Sequence, residues 1–132
     1  MSRVLLIPVA SPLHDPELVK EVLDMYYKRL ENAVDLTLPL ITDYSEINSH
    51  DIAGDALAIV APLTGGTEHL IQLIHEKANY VLLLPHASMN SLPSALEAFS
   101  KIRDSMKAWI ITDWSISKKV NKFIKAWRVA NE

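Results

Sequence analysis

The 132-residue chain contains no cysteine. That excludes disulfides, thiolate zinc sites and a cysteine nucleophile. It has only three glycines, Gly54, Gly65 and Gly66. No Gly-x-Gly-x-x-Gly follows the first apolar run, which argues against a nicotinamide or flavin dinucleotide. Neither a Gly-x-x-x-x-Gly-Lys-Ser/Thr loop nor a Gly-x-Ser-x-Gly elbow occurs, so P-loop hydrolysis and the hydrolase triad lack their motifs. The segment Ser11-Pro12-Leu13-His14-Asp15 has no glycine and few hydroxyls, a poor cradle for flavin mononucleotide. The run before it, through Leu6-Ile7-Pro8, ends without the acid pair of a two-component receiver. No cofactor is therefore expected. No apolar run approaches the ~20 residues of a membrane helix. The start, Met-Ser-Arg-Val, lacks the parts of a signal peptide, so a cytoplasmic location is the default expectation. The net charge of −3 argues against broad nucleic-acid binding. Lys118, Lys119, Lys122, Lys125 and Arg128 form a local exception, read first as the solvated face of a helix. One glutamine, Gln72, with no cysteine and few glycines suits a thermophile.

What is present is an alternation. With 49% hydrophobic residues in one domain's length, residues 1–132 supply a single core. Val4 to Val9 is apolar throughout, as suits a strand covered on both faces. Asp15-Pro16-Glu17 then supplies a cap, a first-turn proline and a first-turn acid. The spacing of Leu18, Val19, Val22, Leu23, Tyr26 and Leu30 predicts a helix over 16–32. A second strand is expected at 34–40, then a polar loop over 41–54 with room for one helical turn at 43–49. Ala56 to Ala61 reads as the third strand, and Thr67 as the cap of a helix ending near Ala78. Residues 80–85 form the fourth strand. Ser91 is expected to cap a helix of residues 92–106, with Pro93 in its first turn. A fifth strand at 108–112 and a helix at 116–130, capped by Ser115, complete the chain. This order implies parallel strands with right-handed crossovers. The expected fold is a three-layer α/β/α sandwich on a five-stranded parallel sheet, flavodoxin-like in its order 2-1-3-4-5.

Ligands in such sheets bind beyond the carboxyl ends of the strands, where the strand order reverses. The loops that meet there carry Ser11, His14, Thr64, Gly65, Gly66, Thr67, Glu68, His69, His86, Ser88, Asn90 and Ser91. Pro62-Leu63-Thr64-Gly65-Gly66-Thr67-Glu68-His69 is the most informative stretch. A strand, a glycine pair and a helix start expose backbone N–H groups that favour anions or polar oxygens. Each of these residues also has an ordinary role. The glycines permit a tight turn, Thr67 and Ser91 cap helices, and Glu68 complements a helix dipole. His14, His69 and His86 lie near strand ends, yet no spacing matches His-Glu-x-x-His, so no metal site is expected. His50 and His75 read as surface residues.

Two segments together carry a resemblance. Ala58 to His69 runs strand, Thr-Gly-Gly-Thr-Glu, helix. Val81 to Glu97 runs strand, His86-Ala87-Ser88-Met89-Asn90-Ser91-Leu92-Pro93, helix. Over roughly residues 56–98 the chain resembles the N-terminal α/β domain of L-fucose/L-arabinose isomerase-like proteins, especially archaeal members. The resemblance implies a sugar-like pocket lined by the Thr64–His69 and His86–Ser91 turns. It also implies that the isomerases' metal-binding carboxylates and histidine belong to later domains, so a chain ending at Glu132 is not expected to be a self-sufficient isomerase.

The leading expectation is a stand-alone domain binding a sugar, a sugar phosphate or a similar small polar or anionic ligand. A small enzyme is the alternative, with Glu68 as base and His69 or His86 as acid. A protein-interaction module, or a subunit of an isomerase-like complex, is the third reading. It rests on Trp109, Trp114 and Trp127 near one sheet edge. Homodimerisation is expected through that edge or through the helix bearing Tyr26 and Tyr27.

Overall fold

The apolar runs become strands, and each polar turn after them feeds a helix. The computed structural model describes residues 3–113 and 117–131. The elements are β1 (Val4–Val9), α1 (Pro16–Leu30), β2 (Leu36–Thr37), α2 (Tyr44–Asn48), β3 (Leu57–Pro62), α3 (Glu68–Ala78), β4 (Tyr80–Leu83), α4 (Ser91–Ile102), β5 (Ala108–Ile110) and α5 (Ser117–Ala130). All pairings are parallel, in the order β2-β1-β3-β4-β5. The expected three-layer, flavodoxin-like arrangement is therefore the one observed. Among the described residues no helix is long and apolar enough to cross a membrane.

Alternate side chains of β1 feed two separate cores. Leu5, Ile7 and Val9 pack under α2, α3 and α4 with Ile47, Ile71, Ile74 and Ala98. Val4 and Leu6 pack under α1 and α5 with Tyr26, Leu30, Val120, Ile124 and Trp127. Burial of both faces explains why the strands read as unbroken apolar runs. Tyr26 and Tyr27 are tied into the chain's own fold. The Tyr26 hydroxyl donates to Leu84 C=O and the Tyr27 hydroxyl to Leu38 C=O at 3.0 Å.

Several boundaries differ from the sequence expectation, two of them by the most. The second strand shrinks from 34–40 to Leu36–Thr37. Leu38 N–H donates to Leu6 C=O at 2.9 Å, so the next ladder bond would need an N–H at position 8. Pro8 has none. The Leu38 carbonyl takes the Tyr27 hydroxyl instead, and pairing resumes only as the single bridge Val9–Ile41. The helix expected over 92–106 ends at Ile102, tightens into a 3-10 turn over Arg103–Ser105, and stops at Met106 with φ 60°. The helical turn foreseen at 43–49 is present as α2, with a capping box between Asp43 and Glu46. The Ser115 cap, Trp114 and Ile116 lie outside the described residues.

Candidate functional site

The strand order reverses between β1 and β3, so the loops leaving them diverge and open a crevice. Hydrogen bonds lock its walls together. Thr64, fully buried, accepts from Ser11 N–H and donates to Gly65 C=O, both at 2.8 Å. Gly65 N–H donates to Met89 C=O at 2.7 Å, which joins the loop after β3 to the loop after β4. Gly65 is a glycine because of space. A Cβ there would lie 2.9 Å from Asn90 Cβ. Gly66 is a glycine because of conformation, with φ +71°.

The loop after β4 closes in a reverse turn, with Ser91 N–H donating to Ser88 C=O at 3.1 Å. Met89 and Asn90 at its centre both have positive φ, 53° and 59°. That is the pattern of a type I′ turn, which side-chain-bearing residues adopt at a cost of order 1 kcal/mol each. The surrounding bonds hold the strain in place, and it sits against the crevice.

The helix caps differ from expectation. Thr67 occupies the position before α3, but its side chain makes no capping bond. Its hydroxyl donates to Thr64 C=O at 3.3 Å and lies 2.9 Å from Ser94 Oγ, which also accepts from Thr67 N–H at 3.3 Å. The N–H groups of Glu68, His69 and Leu70, which a first turn leaves without intrahelical acceptors, therefore receive no cap from Thr67. At α4 the cap position belongs to Asn90, and Ser91 is the first helical residue. Ser91 Oγ donates to Pro62 C=O and accepts from His86 N–H at 3.0 Å.

The resulting cleft holds about 370 Å³. Ser11, Leu13 and His14 come from the loop after β1; Gly65, Gly66 and Glu68 from the start of α3; Asn90, Pro93, Ser94 and Glu97 from α4. Of the residues singled out from sequence, Ser11, His14, Gly65, Gly66, Glu68 and Asn90 thus come together. Thr64, Thr67 and Ser91 lie buried behind them as supports. His69 is exposed and outside the cleft lining. His86 is a staple: Nδ1 accepts from Ser88 N–H at 3.2 Å, which places its proton on Nε2, and Nε2 donates to Leu63 C=O at 2.8 Å. Ser88 Oγ adds a 2.9 Å bond to the same Nδ1. His86 lines a separate depression with Met25, Arg29 and Asp113. Glu68, His69 and His86, the acid–base candidates, are therefore spread over three surroundings. Among the described residues no three His, Asp or Glu side chains form a group that could hold a metal ion.

Sequence reasoning missed Ser94 and Glu97. The signal was available, because Asn90, Pro93, Ser94 and Glu97 recur at i, i+3, i+4, i+7 and so share one face of α4. Elsewhere, His75 and His50, both read as surface residues, are half-buried. Among the described residues the buried His75 Nδ1 has no partner, and burial pushes the His75 pKa down. Compared with protein-family models, curated proteins and solved structures, the chain matches none.

Proposed function

We propose that the chain binds a small, neutral, polyhydroxylated molecule, sugar-like in its chemistry, in the cleft between the Gly65–Gly66 turn and α4. The observation that carries this is the donor and acceptor set on its walls. The first turn of α3, which Thr67 does not cap, offers backbone donors. Glu68 and Glu97 offer carboxylate acceptors, while Asn90 and Ser11 offer both kinds of group. A polyol hydroxyl both donates and accepts, so it uses such a mixture fully. The volume, near 370 Å³, lies within the ordinary range for small-ligand pockets.

The same walls argue against a phosphate. A helix N-terminus contributes roughly half a positive charge. Two carboxylates, Glu68 and Glu97, line the same cleft and would face a phosphate, Glu97 with Lys101 3.9 Å away. The resemblance to the N-terminal domain of L-fucose/L-arabinose isomerase-like proteins points the same way, towards sugar binding without isomerisation by this domain alone.

Thermal unfolding with L-fucose, L-arabinose, ribitol and inorganic phosphate, each to 100 mM, tests the reading. A ligand at ten times its Kd contributes about 1.4 kcal/mol. For a chain of this size that raises the Tm by roughly 5 °C. The expected result is such a rise with at least one of the three polyols and none with phosphate. Flat curves with all three polyols, or an equal rise with phosphate, would overturn it.

A further inference from the structure

A second surface lies at the opposite edge of the sheet, away from the cleft. β5 is the edge strand, and α4 packs against it on one face. On its other face Trp109 stays half-exposed, touched edge-on by Phe123 of α5 at 5.2 Å between ring centres. A groove of about 430 Å³ opens here. Its floor is Tyr80 and Trp109; its α5 wall is Phe123, Ala126 and Ala130. Met106, at the edge of the groove, is 84% exposed.

The shape suits a helix. Ala126 and Ala130 stand one turn apart on α5 and are both exposed. Small residues at that spacing leave a shallow channel into which a neighbouring helix can set a ridge of larger side chains. The charge suits an acidic partner. Lys107 lines one rim, and Lys122 stands one turn before Ala126 on α5. Among the described residues neither Lys107 nor Lys122 makes an ion pair. A second copy of this chain would bring like charges together at this rim.

Ring geometry disfavours single-stranded nucleic acid, which needs free aromatic faces for its bases. Tyr80 stacks on Trp109 with planes 6° apart, and Lys107 Nζ sits 5.5 Å from the Tyr80 ring centre. The floor rings therefore already use their faces within the chain.

We infer that this groove docks an acidic amphipathic helix of a partner protein, laid beside α5 with its apolar stripe over Trp109 and Tyr80. Selection from a displayed library of 18-residue helical peptides tests this. The counter-selection uses Ala126→Arg, an exposed substitution whose folding is checked by an unchanged Tm. Enriched peptides are expected to be net negative, with apolar residues at i, i+3, i+4, i+7. Their Kd is expected to rise at least tenfold with Ala126→Arg and about fivefold with Lys107→Glu/Lys122→Glu. No enrichment, neutral or basic winners, or winners indifferent to Ala126→Arg would overturn the inference. So would tighter binding of a 20-nucleotide oligo(dT), or a wild-type dimer in sedimentation that Ala126→Arg dissociates.

Discussion

Gly65→Ala tests the joint on which the cleft is built. Gly65 has no positive φ, so its backbone accepts alanine and any cost must come from space. The new methyl would stand 2.9 Å from Asn90 Cβ and 3.4 Å from Asn90 C=O. Unbonded carbons prefer about 3.5–4.0 Å, so the two turns must part by roughly 0.6–1 Å. Neither can yield cheaply. Asn90 is held in the left-handed region at φ 59°, and Gly65 N–H is bonded to Met89 C=O at 2.7 Å. Overpacking of this kind costs about 1–3 kcal/mol. Weakening the Gly65–Met89 bond adds about 0.5–1.5 kcal/mol. A loss near 2 kcal/mol, or roughly 6–10 °C in Tm, is expected for a chain of this size. Asn90→Gly removes the opposing Cβ and adopts the same φ freely, so alone it should change stability by less than about 1 kcal/mol. Combined with Gly65→Ala, it should restore most of the loss. Thermal and urea unfolding of the four proteins in this cycle give the coupling energy directly. Additive effects, or a neutral Gly65→Ala, would refute the contact between the two turns.

Other consequences are equally open to measurement. Thr64→Val keeps the shape but removes the hydroxyl that accepts from Ser11 N–H; it should cost about 1–3 kcal/mol and speed amide exchange at Ser11. His86→Phe strips partners from Leu63 C=O and Ser88 N–H; a loss of about 1–3 kcal/mol in urea unfolding is expected, with cleft binding retained. Glu97→Gln should weaken binding of whichever polyol raises the Tm, as followed by calorimetry, because the cleft loses a charged acceptor. His75 gives a pH signature. Burial lowers its pKa in the folded state, Lys107 lowers it further, and Glu76 opposes both. The unfolded chain therefore binds the proton more readily, near pH 6.5. Its contribution to stability is full above that value and falls as the pH drops below it. His75→Gln should flatten the acid side of the stability curve, and an unchanged slope between pH 7 and 5 would remove this assignment.

The fold was legible because each signal was local and repeated. Apolar runs, first-turn prolines and polar turns all agreed on the same alternation. The end of the second strand was set by partners distant in sequence. The second strand stops because Pro8, on another strand, has no N–H and the Tyr27 hydroxyl, on a helix, takes the vacated carbonyl. In the site, residue type located the loops but not the orientation of the side chains. Thr67 looked like a cap, but Ser94, 27 residues later, holds its hydroxyl. His86 looked like an acid–base candidate, but Leu63 and Ser88 hold its ring. Glu97 was overlooked because a lone acid on a helix reads as a solvated residue until α4 is set against the Gly65–Gly66 turn.

The proposed binding of a polyol places the ligand at the start of α3, where Thr67 makes no capping bond. An amide chemical-shift titration of the chain with L-fucose, L-arabinose and ribitol measures this directly. The expected result is saturable shifts, with at least one of the three, at Gly65, Gly66, Glu68 and His69, accompanied by Ser94 and Glu97 across the cleft. Shifts that never saturate, or that saturate only at residues outside the cleft, would contradict it.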